Sequence, residues 1–268
     1  MMMILRNIKE YTKELKKELK VKVSTFDDPP TLAIIQVGEV EASNRYVNNK
    51  IKDCTAVGIT AHHYWYSDKI TENELIEEIK HLAAFYDGLI VQLPLPSHIT
   101  SEAVVAAIPK EKDVDGFRYD SIFDPATPKG IMDYLRYCGF DFVGKDVTII
   151  GRSEIVGKPL AQLMCAADAT VTLCHSKSRL DKHIEGADLI VCAVGKPHFL
   201  NCYSIHVPVI DVGINFDESG KMVGDAYNAD GRDVTPVPGG VGLLTRCALL
   251  ENVIIAKEVR ENAAVKLD

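Results

Sequence analysis

Val147-Thr148-Ile149-Ile150-Gly151-Arg152-Ser153-Glu154-Ile155-Val156-Gly157-Lys158-Pro159-Leu160 is a β-branched run closed by glycine, then a polar turn, a second glycine and a helix-compatible run through Met164. That order predicts a strand, a tight turn and a helix. Pro159 suits a first helical turn, where its missing N–H costs nothing. The free N–H groups and positive dipole end of such a helix attract phosphate. Three more apolar runs follow, Ala169 to Leu173, Ala187 to Val194 and Pro208 to Val212. Their spacing predicts strands alternating with helices, an α/β chain with a doubly wound parallel sheet.

The turn alone does not decide its use. It is neither G-x-G-x-x-G nor a Walker A loop: five residues separate Gly151 from Gly157, and Pro159 stands where Ser or Thr is needed. A phosphate-binding loop and a plain structural turn both remain open. The next strand adds a second signal. An NAD site usually carries an acidic residue about 20 residues beyond the glycines, to hold the ribose 2′-hydroxyl. Here the strand leaves through Cys174-His175-Ser176-Lys177-Ser178-Arg179, with hydroxyls and cations but no carboxylate. That suits the extra phosphate of NADP better than NAD; the alternative is a solvated basic loop.

The 268 residues suffice for two domains of ordinary size, and 47% apolar with 25% charged residues is a globular balance. A net charge of −8 argues against general binding to nucleic acid or anionic membrane. No apolar run approaches the roughly 20 residues that span a bilayer. The opening stretch is rich in Lys and Glu, with Ile4, Ile8, Tyr11, Leu15 and Leu19 at helical spacing, unlike a signal peptide. Seven scattered cysteines without a C-x-x-C pair read as free thiols in a reducing cytosol, and the eight histidines show no metal-binding spacing.

The upstream half reads as a second α/β unit. Thr31 to Val37 is a buried strand stopping at Gly38, and a helix near Ser43 runs to about Val57. Ile59 to Tyr66 alternates like a strand. Thr71 to Phe85 is an amphipathic helix with Thr71 and Glu74 at capping-box spacing and a stripe of Leu75, Ile79 and Leu82. Leu89 to Val91 is a short strand; Ile99 to Ile108, Pro128 to Cys138 and Leu243 to Val259 read as helices. Tyr46 and Lys50, four apart, share one helix face. Gln92 stands at the carboxyl end of a strand, the edge where open sheets bind ligands. Asp113 and Asp115 share a loop that could be a metal site, a substrate clamp or a turn. Three glycines in Gly239-Gly240-Val241-Gly242 allow close backbone approach, and the prolines before them argue against a linker.

Together, Ala42-Ser43-Asn44-Arg45-Tyr46-Val47-Asn48-Asn49-Lys50, Asp87-Gly88-Leu89-Ile90-Val91-Gln92-Leu93-Pro94-Leu95-Pro96, Lys112-Asp113-Val114-Asp115-Gly116-Phe117, Gly151-Arg152-Ser153-Glu154-Ile155-Val156-Gly157, Cys174-His175-Ser176, Asp211-Val212-Gly213-Ile214-Asn215 and Pro236-Val237-Pro238-Gly239-Gly240-Val241-Gly242 resemble the methylenetetrahydrofolate dehydrogenase/cyclohydrolase family of one-carbon folate metabolism. The segments occur in family order and cover most of the chain.

The resemblance implies a folate-binding catalytic domain of residues 1–127 plus 243–268, a Rossmann-like NADP domain of 128–242, and a folate cleft between them. It implies that Lys50 is the central catalytic residue, that Tyr46 stacks on or hydrogen-bonds the substrate, that Gln92 orients Lys50 and that Asp115 holds the pterin. Val91, Leu93, Pro238, Gly239, Gly240, Val241 and Gly242 match substrate contacts; Gly151, Arg152, Ser153, Ser176 and Ile214 match NADP contacts. No metal is implied, and a homodimer is the family expectation. The implied reactions are oxidation of 5,10-methylenetetrahydrofolate with NADP, then hydrolysis of the methenyl cation to 10-formyltetrahydrofolate. Hydride transfer needs aligned rings. Hydrolysis needs a base, and burial beside a cationic substrate favours a neutral amine.

Departures from the family pattern are Ala126 in place of a usual cysteine, shorter segments between Phe117 and Pro125 and between Asp225 and Thr235, Leu243-Leu244 in place of Pro-Met, and no opening strand. They leave open a dehydrogenase with weak or no cyclohydrolase activity. A non-catalytic binder of the same fold would have no need of Lys50. A hydroxy-acid or amino-acid dehydrogenase would need an acid/base pair near the second domain's loops, which is not found.

Overall fold

The run Thr31–Val37 forms strand β1, and six of its seven residues are buried. A strand so uniformly buried needs cover on both faces of its sheet. The computed structural model, which describes residues 5–39, 41–202, 205–228 and 233–265, supplies that cover. Ile4, residues 229–232 of the shortened segment after Asp225, and residues 266–268 of the assigned C-terminus lie outside the described residues, as does the side chain of Ala42.

Strand β1 is the centre of a three-stranded parallel sheet, flanked by β2 (Thr60–Tyr66) and β3 (Gly88–Val91) in the order β2-β1-β3. Alternate side chains go to opposite faces. Leu32, Ile34 and Ile90 pack with Leu19 and Val23 of helix α1 (Ile8–Val23), Val47 and Val57 of α2 (Glu41–Val57), and Leu250 and Ile254 of α8 (Val241–Val265). Ala33, Ile35, Leu89 and Val91 pack against Leu75, Ile79 and Leu82 of α3 (Glu72–Ala83) and Val104 of α4 (Ser101–Ala107). The capping box expected at Thr71 and Glu74 is formed.

The second parallel sheet has the order β5-β4-β6-β8, from β4 (Asp146–Ile150), β5 (Thr170–Cys174), β6 (Leu189–Cys192) and β8 (Val209–Asp211). One face is covered by α5 (Ala126–Tyr137), through Ile131, Tyr134 and Leu135, and by α6 (Gly157–Ala166), through Leu160 and Met164. The other holds Leu200, Cys202, Ile205 and Ala226 against Ile150, Ile190 and Val209. Helix α7 (Asp181–Ile184) is a single turn. Two small ribbons pair β7 (Leu200–Asn201) with β11 (Ala226–Tyr227) and β9 (Asn215–Phe216) with β10 (Met222–Val223). These two-residue strands were not expected from the sequence.

The chain divides into two compact units, Met1–Lys13 with Thr127–Thr245 and Glu14–Ala126 with Arg246–Asp268. Below they are the four-strand and three-strand units. The first residues therefore group differently from the expected 1–127 segment. Ile8 is buried in the core of Tyr134, Leu135 and Leu244, and Tyr134 Oη donates to the Arg6 carbonyl at 2.6 Å. Helix α8 begins at Val241, inside the glycine-rich stretch, rather than at Leu243, and runs on to Val265. None of the seven cysteines is in a disulfide. Among the described residues no helix is long and apolar enough to cross a membrane.

Candidate functional site

In the three-strand unit the chain leaves central β1 for β2 on one side and returns to β3 on the other. The exits of β1 and β3 therefore flank a topological switch point, where open sheets bind ligands. Helix α2 starts just beyond the exit of β1 and carries Tyr46 and Lys50 on one face. Lys50 Nζ lies 3.7 Å from Asp115 Oδ2, with side chains 13% and 9% exposed. A nearly buried amine and carboxylate at that distance form an ion pair that leaves donors and acceptors for a third group. Tyr46 is 36% exposed, and partial burial raises its phenol above the usual range.

Gln92 follows β3, and its backbone N–H donates to Ile35 at 2.8 Å. Its side chain does not bond Lys50. Instead Nε2 donates to the Leu93 carbonyl at 2.8 Å, and Oε1 is buried without a partner. Val91 is buried and Leu93 half-buried on either side of it. The Asp113–Phe117 loop is a tight turn, not a carboxylate pair facing outward. Asp113 is buried, accepts from the Arg118 N–H at 2.8 Å, and is pushed above the usual carboxylate range by burial.

In the four-strand unit the exits of β4 and β6 flank the corresponding switch point. Gly151 has φ +119°, and a Cβ there would stand 2.0 Å from the Ala193 carbonyl oxygen. A Cβ on Gly157 would stand 2.1 Å from the Gly151 oxygen. The two glycines therefore exist to let the turn fold onto the neighbouring strand exit. Ser153 Oγ accepts from the N–H groups of Val156 at 3.2 Å and Gly157 at 3.4 Å. The N–H groups of residues 152–155 meet no protein acceptor among the described residues. Unpaired donors in the turn that leads into helix α6, in a cradle that a side chain would fill, fit a phosphate. Arg152 and Ser176 are exposed, and Ile214 is 39% exposed. The loop from Pro238 to Gly242 belongs to this unit and ends as Leu243 N–H donates to the Gly240 carbonyl at 2.9 Å.

Three positioning groups were missed from the sequence. Asn252, in the apolar run of α8, is buried and donates to the carbonyls of Val114 at 2.9 Å and Asp124 at 3.2 Å, pinning the loop that presents Asp115. A lone amide amid Leu249, Leu250, Val253 and Ile254 was the available signal. Gln36, in register next to Gln92, donates to Asn44 Oδ1 at 2.6 Å and so ties the end of β1 to the first turns of α2. Asp225 gathers the exit of β6; nothing in its local sequence marks it.

The catalytic domain described for the tetrahydrofolate dehydrogenase/cyclohydrolase family matches residues 7–115, and that family's NAD(P)-binding domain matches residues 125–261. The bifunctional protein FolD of Acetivibrio thermocellus is 42% identical over 275 residues, covering 95% of this chain and 96% of that protein. The crystal structure of the bifunctional enzyme FolD, methylenetetrahydrofolate dehydrogenase/cyclohydrolase, from Campylobacter jejuni superposes with a TM-score of 0.91 at 39% identity, covering 95% of this chain and 98% of that one. The Trypanosoma brucei methylenetetrahydrofolate dehydrogenase-cyclohydrolase, complexed with NADP and an inhibitor, gives 0.88 at 31%, covering 96% and 98%.

Proposed function

This chain belongs to the tetrahydrofolate dehydrogenase/cyclohydrolase family, and from that premise we propose that it oxidises 5,10-methylenetetrahydrofolate with NADP and hydrolyses the methenyl product to 10-formyltetrahydrofolate. The observation that carries the reading is the Lys50–Asp115 pair, 3.7 Å apart and nearly buried at the switch point of the three-strand sheet. A structural or purely binding domain has no use for an amine held there. The three-strand unit binds the folate and the four-strand unit binds NADP.

NADP, when bound, supplies the hydride acceptor. The unpaired N–H groups of residues 152–155 would hold its phosphates, with Arg152, Ser153 and Ser176 as further donors and Ile214 as an apolar contact. Asp115 accepts from the N–H donors of the pterin, and Tyr46 supplies a half-exposed ring against it. Val91 and Leu93 complete the substrate contacts of the three-strand unit. In the hydrolytic step a water adds to the methenyl carbon, and its proton passes to the group formed by Lys50 and Asp115. The same group then returns a proton to the departing ring nitrogen, which opens the ring. Gln92 Oε1, buried without a partner, is an acceptor suited to hold the Lys50 amine once the substrate is in place.

By the same resemblance the chain works as a cytoplasmic homodimer in a route that feeds purine biosynthesis. The activity test is a coupled assay with methylenetetrahydrofolate and each nicotinamide cofactor, following methenyl absorbance. A transient signal with NADP supports both steps. Accumulation points to a dehydrogenase alone, and no signal to a binder.

A further inference from the structure

We infer that Asp225 is a positioning residue for the NADP-dependent step, acting through the strand exits of the four-strand unit; the inference rests on the dehydrogenase reading above. Asp225 is fully buried. Its Oδ2 accepts from the N–H groups of Val194 at 2.6 Å and Gly195 at 3.0 Å, and its Oδ1 from Lys196 N–H at 2.8 Å. Oδ1 also accepts from Asn215 Nδ2 at 2.9 Å. One carboxylate thus gathers three consecutive amides leaving β6 and one side chain from beyond β8. Bonds to an ionised acceptor are roughly twice as strong as neutral ones.

Those two exits sit where a nucleotide would be read. The residue before Val194 is Ala193, whose carbonyl stands against Gly151. The turn that Asp225 holds is therefore the wall against which the phosphate cradle is built. Asn215 follows Ile214, so its bond to Asp225 also fixes the second exit. Asp211, at the end of β8, works in the same lattice. Its Oδ1 accepts from Gly213 and Asp225 N–H groups and its Oδ2 from Ala226, each at 2.9 Å. The packing is reciprocal. A Cβ on Gly213 would stand 2.2 Å from Asp225 Oδ1, and one on Gly224 would stand 1.8 Å from Asp211 Oδ2. Such a lattice is more than a loop needs to stay folded. It fixes the β6 side of the crevice between β4 and β6, the side against which Gly151 packs, and hydride transfer needs such fixed geometry.

Asp225→Asn keeps the shape but replaces one acceptor oxygen with a donor. Asn215→Ala removes one donor and leaves the three amide bonds. Each variant is assayed for NADP-dependent oxidation of methylenetetrahydrofolate, for hydrolysis of methenyltetrahydrofolate without NADP, for direct NADP binding by calorimetry and for thermal unfolding. The expected result for Asp225→Asn is a KM and Kd for NADP raised about tenfold or more, with hydrolysis within about twofold of wild type. Asn215→Ala gives a smaller rise, about threefold, and decides the matter if Asp225→Asn does not fold. Unchanged NADP affinity in the folded variant overturns the inference. So does a loss that disappears at a lower temperature where the folded fractions match, because the role is then only structural. A wild-type protein that binds NADP but does not reduce it with methylenetetrahydrofolate sinks the functional reading instead, and the binding arm still tests Asp225.

Discussion

Lys50 and Asp115 show what a single pair can do at the residue scale. At 3.7 Å and nearly buried, the amine is held by charge but not locked by a short hydrogen bond. It is placed to exchange a proton with a third group. Lys50→Ala should lower hydrolysis of the methenyl substrate by about 10² to 10⁴, the usual worth of positioned proton transfer. It should leave measurable NADP reduction, since hydride transfer has no proton for this amine to take. Separate assays of the two steps check this, and equal survival of both would refute the role. Gly151 makes a different residue-scale point. Gly151→Ala meets both a φ of +119° and an oxygen 2.0 Å from the new Cβ. Gly139→Ala meets a φ of +79° with open space around it. Left-handed strain alone costs about 1–2 kcal/mol. The second variant should therefore lose that much in urea denaturation, and the first on the order of 3 kcal/mol or more. Comparable losses would mean that the Ala193 wall yields.

At the scale of elements, Asn252 shows how a helix far along the chain fixes the loop that carries Asp115. Asn252→Ala removes two buried donors and leaves the Val114 and Asp124 carbonyls unsatisfied. A stability loss of about 1–3 kcal/mol is expected. KM for the folate should rise while KM for NADP stays put, and a rise in both would show general unfolding. Helix α3 carries a pH signature. Glu74, in its capping box with Thr71, is held below its ordinary carboxylate value of 4.5 by the Thr71 backbone N–H, then by the Thr71 hydroxyl. A depressed folded value means that this contribution is present above pH 4.5 and is lost as pH falls through the lowered value. Thr71→Ala should cost about 1 kcal/mol at pH 7, and less in acid, in melts followed by circular dichroism. The same elements explain what sequence could reveal. The stripe of Leu75, Ile79 and Leu82 and the unbroken run of β1 carry their periods openly, because one burial environment repeats along each. Strands β7, β9, β10 and β11 are two residues long and have no period to read. Lys50, Tyr46 and Asp115 were singled out through motif resemblance, because helix spacing alone fits any exposed lysine. Asp225 and Asn252 stayed hidden because a buried polar residue is defined by distant partners.

The whole molecule carries a net charge of −8, yet its proposed cofactor is a polyanion. Attraction must therefore be local. Arg152, Lys177 and Arg179 are all exposed around the exits of β4 and β5 in the four-strand unit. Exposed charges are screened beyond about 8 Å at physiological ionic strength. Added salt should accordingly raise KM for NADP and change KM for the folate less. Binding that is confined to one unit also has a thermodynamic consequence. A ligand that binds only the folded state stabilises it by about 2.7 kcal/mol at a hundredfold excess over Kd. Saturating NADP should therefore slow amide exchange at residues 151–157, 175–178 and 193–196, the strand exits that the proposed cofactor would cover. Exchange in β1 and β3 should change little. A folate analogue alone should do the converse, slowing exchange at residues 92–96 and 113–117. Exchange measured by mass spectrometry with each ligand in turn separates these patterns. If NADP protected the three-strand unit as strongly as the four-strand unit, or protected neither, the division of labour between the two sheets would be wrong.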